Sequence, residues 1–323
     1  LDEEEAGFKK EVYWVKHAGE NELELPMFLR PTSETPMYTM FPLWVRSHGD
    51  LPLKTFQIVN TFRYETKQTR SFIRVREIHF FEAHTAHKDQ EGADAQIDED
   101  AVIVKNLLHD LCFPAIVSKR PVWDTFPGAW FSNAVDVVMP NGRTLQVATY
   151  HHYKDQWAKA FDLKYEDTEG QTQYCHQTTF GMSERMLGAV VGMHGDEAGL
   201  IFPPKIAPIQ IVLMPVAQHL DEDVIPSINK IADTLKSAGY RVKVDDRDLR
   251  PGAKHYDWEI KGVPLRLELG PRDLKSGQFV LSMRTGGKAS HDVNDLLNVI
   301  SDSLDSTESE LRNRAAVHME NLV

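Results

Sequence analysis

A chain of 323 residues with 41% hydrophobic and 26% charged residues has an ordinary globular composition and is long enough for two domains. It contains no apolar run near the roughly 20 residues that span a bilayer and does not open on a basic-then-apolar signal, so we expect a soluble, cytoplasmic protein without membrane contact. The net charge of −12 argues against indiscriminate DNA binding. The cysteines, Cys112 and Cys175, form no Cys-x-x-Cys pair, which predicts a reducing compartment and no structural zinc in this stretch.

The first part of the chain is predicted to be rich in antiparallel strands. Residues 53–65 and 72–82 favour strands around a polar loop at 66–71, and 132–139 and 143–150 favour a second hairpin around Pro140-Asn141-Gly142. Apolar residues at helical spacing predict a helix over 90–111. We further expect a strand near 160–166 and a helix that begins after Gly181 and runs through 182–193.

The pattern changes at Pro203-Pro204, where strands and helices begin to alternate. Strands are predicted at 209–216, 240–244, 263–269 and 278–283, with a helix at 221–238, and the tail from 291 has helical character. We therefore predict an antiparallel α+β domain over 1–204, a smaller α/β domain over 205–289 and a helical segment over 290–323.

The densest group of charged residues is Phe62-Arg63-Tyr64-Glu65 and the arginines that follow it, Arg70, Arg74 and Arg76. Arginines on adjoining antiparallel strands can face one triphosphate, since their planar guanidinium groups match phosphate oxygens. Glu65 lies two residues after Arg63 and could accept from an adenine amino group. A solvated, charged hairpin is the alternative for this segment alone.

Two further segments pair polar groups with helix starts. In Thr32-Ser33-Glu34, the Thr32 hydroxyl and the Glu34 carboxylate could hold an ammonium group, or Thr32 or Ser33 could cap a helix over 38–45. In Gly181-Met182-Ser183-Glu184-Arg185, a helix N-terminus would attract an anion and Arg185 would add a full charge.

The order of these segments resembles the prolyl-tRNA synthetase family, in its archaeal and eukaryotic-like branch of the class II aminoacyl-tRNA synthetases. The resemblance continues through Leu145–His151, His194-Gly195-Asp196, Asp245–Asp248, Trp258–Pro264 and Leu269–Asp273, to about residue 290. The family's motif one and its C-terminal module do not appear, so we expect a fragment of a longer protein. Phe80, Ala148 and Tyr150 depart from the family pattern, and we expect them near the amino-acid pocket.

The resemblance implies roles for individual residues. Arg63 and Arg185 would be catalytic, with Arg63 contacting both the ATP α-phosphate and the proline carboxylate. The other implied groups are Thr32, Glu34, Glu82, His84 and His151 for the amino acid; Glu65, Arg74, Gln146, Thr149 and Ser183 for ATP; and Glu259, Arg266, Arg272 and Asp273 for the anticodon. Phe72 would stack on adenine.

The implied reaction is the activation of L-proline by ATP with Mg²⁺ and its transfer to tRNA(Pro), with a homodimer expected for the full-length protein. Three alternatives stay open at this point. A synthetase for another amino acid is one, although a threonine enzyme would need Cys and His zinc ligands in its pocket. The others are a non-catalytic paralogue and a plain RNA- or ATP-binding module, which would not explain both domains in this order.

Overall fold

The computed structural model describes residues 10–65 and 67–321, and the backbone forms two compact units. The first unit contains the described residues up to 106 together with 115–138 and 143–189. The second contains 107–114, 139–142 and the described residues from 190 onwards. The boundaries expected at 204 and 289 stay predictions. The expectation that no signal opens the chain falls on residues 1–9, outside the described residues, as does Thr66 of the predicted loop.

A six-stranded antiparallel sheet frames the first unit and confirms the predicted α+β class. The strands of this unit are β1 (Tyr13–Ala18), β2 (Asn21–Leu29), β3 (Leu53–Phe62), β4 (Glu77–His87), β5 (Ile116–Lys119), β6 (Phe131–Val138), β7 (Thr144–Lys154), β8 (Lys164–Glu166), β9 (Thr172–Tyr174) and β10 (His176–Ser183). The sheet order is β3-β4-β10-β7-β6-β5, while β1 pairs with β2 and β8 pairs with β9 as separate hairpins.

Both predicted hairpins of the large sheet form. β3 and β4 pair antiparallel with Phe62 opposite Glu77, and β6 and β7 pair with Val138 opposite Thr144. The connection between β3 and β4 is longer than predicted, because the paired strands end at residue 62 and resume at 77. Within it, the backbones of Arg70 and Arg74 bond to each other at 2.8 and 2.9 Å, so the loop carries its own turn.

Four helices accompany this sheet: α1 (Glu34–Trp44), α2 (Gln90–Asp110), α3 (Gln156–Ala160) and α4 (Arg185–His194). An aromatic cluster fixes α1, since Tyr38 and Phe41 are buried against Tyr153 and Trp157, with 5.6 Å between the Tyr38 and Trp157 ring centroids. Burial of rings of this size dominates local packing energy. The start of α1, where Thr32 and Glu34 lie, is therefore held firmly.

The structure corrects three local predictions. The segment expected to begin a helix at 182 stays in β10 through Ser183, because it pairs with β4 and β7, and α4 begins only at Arg185. The strand expected near 160–166 is reduced to β8, preceded by α3. Ser33 occupies the N-cap position of α1, as the capping alternative predicted, but its side chain makes no cap hydrogen bond, and the Thr32 hydroxyl donates to Glu34.

The second unit is built on a five-stranded mixed sheet, as the predicted α/β alternation indicates. Its elements are β11 (Ile211–Pro215), α5 (Val224–Ser237), β12 (Val242–Val244), α6 (Pro251–Ile260), β13 (Leu265–Leu269), α7 (Pro271–Ser276), β14 (Gln278–Met283), β15 (Lys288–Asp292) and α8 (Leu296–Glu320). β11 is parallel to β12 and β13, and β14 and β15 continue the sheet antiparallel in the order β12-β11-β13-β14-β15.

Alternating apolar residues of these strands form the core of the second unit. Ile211, Leu213 and Leu267 are fully buried against α5, and Ile300 and Leu304 of α8 lie in the same cluster. The long tail helix was predicted, whereas β15, α6 and α7 were not. No helix among the described residues is long and apolar enough to cross a membrane.

Candidate active site

A cavity of about 340 Å³ opens on one face of the six-stranded sheet. It lies over β6, β7 and β10, whose alternate residues point to the same face. Eight of the predicted site residues line it together: Thr32, Glu34, Arg63, Gln146, Thr149, His151, Ser183 and Arg185. Gly181 also lines it, and a Cβ there would lie 3.0 Å from the Phe80 ring, so glycine lets this ring pack against the wall.

Glu34 is a buried carboxylate in this cavity, with 3% of its surface exposed. The Thr32 hydroxyl donates to its Oε2, and the Tyr153 hydroxyl donates to its Oε1 at 3.3 Å. Burial raises the pKa of Glu34, and the charge of Glu82 raises it further, while His84 opposes the shift. Such a site favours a cationic partner, because a positive charge restores the ionised form.

Glu82 and His84 do not line the cavity but are fully buried on β4. His84 Nε2 lies 3.6 Å from Glu82 Oε2, which also accepts from Gln57 at 2.9 Å. Burial would raise the pKa of Glu82, yet the hydrogen bond and charge of His84 hold it below the ordinary value. His84 Nδ1 reaches the cavity-lining Thr179 hydroxyl at 3.3 Å.

Two arginines face the cavity from different elements. Arg63 follows β3 and donates from Nε to the Pro31 carbonyl at 2.8 Å. Arg185 opens α4 and donates to the carbonyls of Ile73 at 2.9 Å and Gln146 at 3.3 Å. Burial lowers the pKa of both guanidinium groups, and the charge of Glu65 opposes the shift. Arginine stays protonated in proteins, so two backbone-anchored cations face one cavity.

Glu65 and Arg74 are placed differently from the other predicted ATP residues. Glu65 lines a smaller cavity of about 60 Å³ with Phe72, Phe80 and Arg185. Arg74 is exposed on the loop between β3 and β4 and lines neither cavity. Its charge nevertheless lowers the pKa of Arg185, after the larger effects of burial and Glu65, so the two guanidinium groups are electrostatic neighbours.

His151 is held as a neutral ring. Its Nδ1 lies 2.7 Å from the Ser132 hydroxyl, and its ring stacks on Phe126 with centroids 4.8 Å apart. Burial lowers its pKa to about 3, and the charge of His84 acts in the same direction. The His151–Phe126 pair therefore forms an uncharged aromatic wall of the cavity at neutral pH.

Of the three departures from the family pattern, Phe80 and Ala148 line the cavity, as expected. Tyr150 does not. It is buried next to Thr149 and His151 on β7 but points to the opposite face, because successive residues of a strand alternate. Tyr150 is thus near the cavity, between two residues that line it, but its side chain does not line it.

Several lining residues were missed, and most lie between β5 and β6. Arg120 donates to Asp136 at 2.9 and 3.1 Å and to Gln146 at 3.3 Å, and Trp123, Asp124 and Phe126 follow it along the cavity rim. The only sequence signal here is an aromatic-rich segment without strand or helix periodicity, which does not indicate where its side chains point.

In the second unit, the four predicted anticodon residues fall into two pairs. Glu259 and Arg266 line a cavity of about 40 Å³, with 3.9 Å between their charged groups. Arg266 also donates to Glu268 at 3.0 Å. Arg272 and Asp273 lie in the first turn of α7, and Asp273 accepts from the Gly270 amide at 2.9 Å, which caps that helix.

Comparisons with known proteins agree with this arrangement. The family described as tRNA synthetase class II core domain (G, H, P, S and T) matches residues 13–194, and the anticodon binding domain family matches 210–303. The proline--tRNA ligase of Thermococcus kodakarensis is 53% identical over 317 residues, which is 97% of this chain and 66% of the relative. That of Thermoplasma volcanium is 49% identical over 98% of this chain and 68% of the relative.

A solved structure, Giardia lamblia prolyl-tRNA synthetase in complex with prolyl-adenylate, superimposes with a TM-score of 0.91 at 41% identity, over 96% of this chain and 66% of that one. The antiparallel core and the second unit thus define a class II aminoacyl-tRNA synthetase core with an anticodon-binding domain. Within that class the chain belongs to the prolyl-tRNA synthetase family. The chain spans between 58% and 68% of the length of the proline--tRNA ligases that it matches.

Proposed function

We propose that the protein activates L-proline with ATP to prolyl-adenylate and transfers the prolyl group to the 3′ end of tRNA(Pro). One observation carries the proposal: a single cavity presents a buried carboxylate, Glu34, and two half-buried guanidinium groups, Arg63 and Arg185. An amino acid joined to a nucleotide phosphate has the matching charges, with an ammonium group at one end and phosphate oxygens beyond its carboxyl carbon.

The proline ammonium would bind between Thr32 and Glu34. Thr32 donates its hydroxyl proton to Glu34, so its oxygen can accept a hydrogen bond from the ligand. A secondary ammonium has two N–H groups, and these two acceptors match that number. The uncharged wall of Phe126 and His151 suits an apolar ring, and Arg63 would bind the carboxylate. Glu82 and His84 would influence the bound amino acid through their effect on the pKa of Glu34.

ATP would bind along the arginines. Arg63, Arg74 and Arg185 would stabilise the charge on the phosphates as the carboxylate attacks the α-phosphorus, which is catalysis by positioning and charge. Gln146, Thr149 and Ser183 would contact the nucleotide, with Phe72 stacked on adenine and Glu65 at its amino group. Mg²⁺ prefers oxygen ligands and often binds through substrate phosphates with one or two carboxylates. Glu184 lines the smaller cavity beside Arg185 and offers one such carboxylate, and the ion would neutralise phosphate charge.

The second unit would read the tRNA anticodon. Glu259, Arg266, Arg272 and Asp273 offer charged groups of both signs, which suit the hydrogen-bonding edges of unstacked RNA bases. The Glu259–Arg266 pair lines a small cavity, which supports a contact with the polar edge of a base there. This role needs no DNA and no membrane, and we propose the cytoplasm as the compartment.

A homodimer is the proposed assembly. β3 is an edge strand of the large sheet, and Phe56 and Ile58 on it are 70% and 73% exposed. Large apolar side chains on an edge strand usually have a partner in the assembled protein. Phe56→Glu should shift the sedimentation coefficient of the full-length protein towards that of a monomer, whereas an unchanged dimer would refute this interface.

The direct test of the proposed function is amino-acid-dependent exchange of pyrophosphate into ATP, measured with each of the twenty amino acids. We expect proline to support the fastest exchange, with alanine and cysteine as the informative competitors because they are small enough to enter the same cavity. Faster exchange with threonine, or no exchange with any amino acid, would overturn the proposal in favour of another specificity or a non-catalytic paralogue.

A further inference from the structure

One large apolar group at the cavity is not used by the proposed chemistry. Trp123 lines the cavity, yet 86% of its surface is exposed, and its neighbour Val122 is 93% exposed. Exposed single apolar residues are common, but an exposed tryptophan on the rim of a ligand cavity is not explained by packing. Its indole is therefore available for contact with a ligand.

The turn that carries Trp123 is fixed on both sides. Before it, Arg120 is bonded to Asp136 and Gln146, and its Nε lies 3.7 Å from Asp124. Within it, the Thr125 hydroxyl donates to the Val122 carbonyl at 2.6 Å.

After the turn, the Phe126 amide donates to the Ser132 hydroxyl at 3.0 Å, and the Phe126 ring stacks on His151. The turn that carries the exposed indole is therefore tied to the cavity wall. A pre-organised aromatic surface loses little conformational entropy when a ligand stacks on it.

The chemistry of this ligand follows from the one substrate of the proposed reaction that has no assigned binding residues at the cavity. In the proposed function, proline and ATP would bind to the residues inside the cavity and along the smaller cavity beside Arg185. The remaining substrate must bring the 3′-terminal ribose hydroxyl of an unpaired RNA strand to the reacting carbonyl, and the base on that ribose comes with it. Unpaired bases bind to proteins largely by stacking on aromatic side chains.

Resting on the proposed function, we propose that Trp123 is the platform on which the 3′-terminal base of the tRNA stacks while its ribose hydroxyl reaches into the cavity. Val122 extends the apolar surface beside the indole. Trp123 contributes binding and positioning in the transfer step.

The test compares two reactions of the full-length protein, pyrophosphate exchange and aminoacylation of a tRNA(Pro) transcript. Trp123→Ala should raise the KM for the transcript about tenfold or more, since a lost base–aromatic stack weakens binding by that order. The rate of pyrophosphate exchange should fall by a smaller factor than kcat/KM for aminoacylation of the transcript. Trp123→Phe, which keeps a stacking ring, should recover most of the tRNA affinity.

Trp130→Ala is the matched control, because Trp130 is also partly exposed, at 45%, but contacts Lys119 and Lys154 and does not line the cavity. A transcript that lacks the 3′-terminal nucleotide supplies the second control: as a competitor, it should bind the original protein and Trp123→Ala equally well.

An unchanged KM for the complete transcript would overturn the proposal. So would an equal loss of exchange and transfer in Trp123→Ala, which would make the turn a cover for the small substrates. If the original protein shows no proline-dependent exchange, the proposed function fails instead.

Discussion

One buried carboxylate in each unit, Asp245 in the second and Glu34 in the first, is held in an opposite way. In the second unit, the Asp245 carboxylate accepts from Arg247 at 2.8 Å on each oxygen and from the Trp258 indole at 2.7 Å. These hydrogen bonds hold the pKa of Asp245 well below its usual range, and the bond from Arg247 has the largest effect. In the first unit, burial raises the pKa of Glu34. The protein thus saturates one buried acid with its own donors and leaves the other suited to a cationic ligand.

This difference separates a structural charge from a binding one. A fully bonded carboxylate stabilises the folded chain, whereas a carboxylate with a raised pKa in a cavity marks a candidate functional site. The same reasoning applies to the cations, since Arg247 binds two aspartates, while Arg63 and Arg185 are anchored through backbone carbonyls in the cavity wall. Substitution of Asp245 should therefore change the free energy of unfolding, whereas substitution of Glu34 or Arg63 should change ligand binding and catalysis.

Arg63→Ala should have the largest effect. Loss of a positioned cation at developing charge lowers catalytic rates by about 10²–10³-fold, and Arg63 would also lose its contact with the proline carboxylate. Pyrophosphate exchange is the measurement, with thermal unfolding to show that the fold remains. Arg70→Ala, which removes an exposed arginine from the same loop, is the control. Exchange at the full rate in Arg63→Ala would remove Arg63 from the site.

Glu34→Gln should come next, with a KM for proline raised by about 100-fold as the buried ion pair with the ammonium is lost. Because the pKa of Glu34 is raised, kcat/KM for proline should fall on acidification at a higher pH than an ordinary glutamate would give. That acidic limb should disappear in the variant. Glu166→Gln, at an exposed glutamate, should change neither quantity. An unchanged pH profile in Glu34→Gln would contradict the assignment.

Asp245→Asn should destabilise the second unit by about 2–3 kcal/mol, since it weakens a buried, charge-assisted network, and should leave exchange nearly unchanged. The folded-state pKa of Asp245 is depressed, so its stabilisation is complete above its unfolded pKa of about 3.9 and is lost as pH falls through the folded value. The difference in unfolding free energy between the two proteins should therefore shrink below about pH 4. Asp246→Asn, at an exposed neighbour, is the control; equal stability of Asp245→Asn and the original protein at pH 7 would be inconsistent with the network.

Asp273→Asn should have the smallest effect on the protein itself. Asparagine can accept the same Gly270 amide, so the α7 cap is kept while the negative charge is removed. If Asp273 reads an anticodon base, discrimination against a tRNA altered at that base should fall by about tenfold in kcat/KM. Asp233→Asn on the exposed side of α5 should preserve discrimination. Identical discrimination by Asp273→Asn and the original protein would assign Asp273 to capping alone.

The sequence predicted those parts of the site in which the functional residues lie close together in the chain or next to a recognisable strand. Thr32 and Glu34 lie two residues apart and Arg63 directly follows a strand, so short motifs were sufficient to place them in the cavity. Strand periodicity likewise predicted both hairpins of the large sheet. The helix predicted over 182–193 is present, but its expected start at 182 was wrong, because the pairing of Gly181–Ser183 with β4 and β7 is a tertiary effect that local propensity does not contain.

Other site residues could not be found from local patterns. Tyr153 reaches Glu34 across 119 positions of sequence, and Phe126 meets His151 only through a non-periodic turn. Tyr150 was expected near the pocket and lies next to His151, yet its side chain does not line the cavity because the strand turns it to the other face. Which face a residue occupies depends on register and packing, and one step along a strand reverses it.

The most direct test of the central claim, that Glu34 and the two arginines hold the two ends of one ligand, is a calorimetric titration with a non-hydrolysable prolyl-adenylate analogue. The account predicts that the analogue binds far more tightly than proline or AMP and prevents both from binding, and that Glu34→Gln and Arg63→Ala each weaken it. Simultaneous binding of proline and the analogue, or an affinity indifferent to both substitutions, would contradict the account.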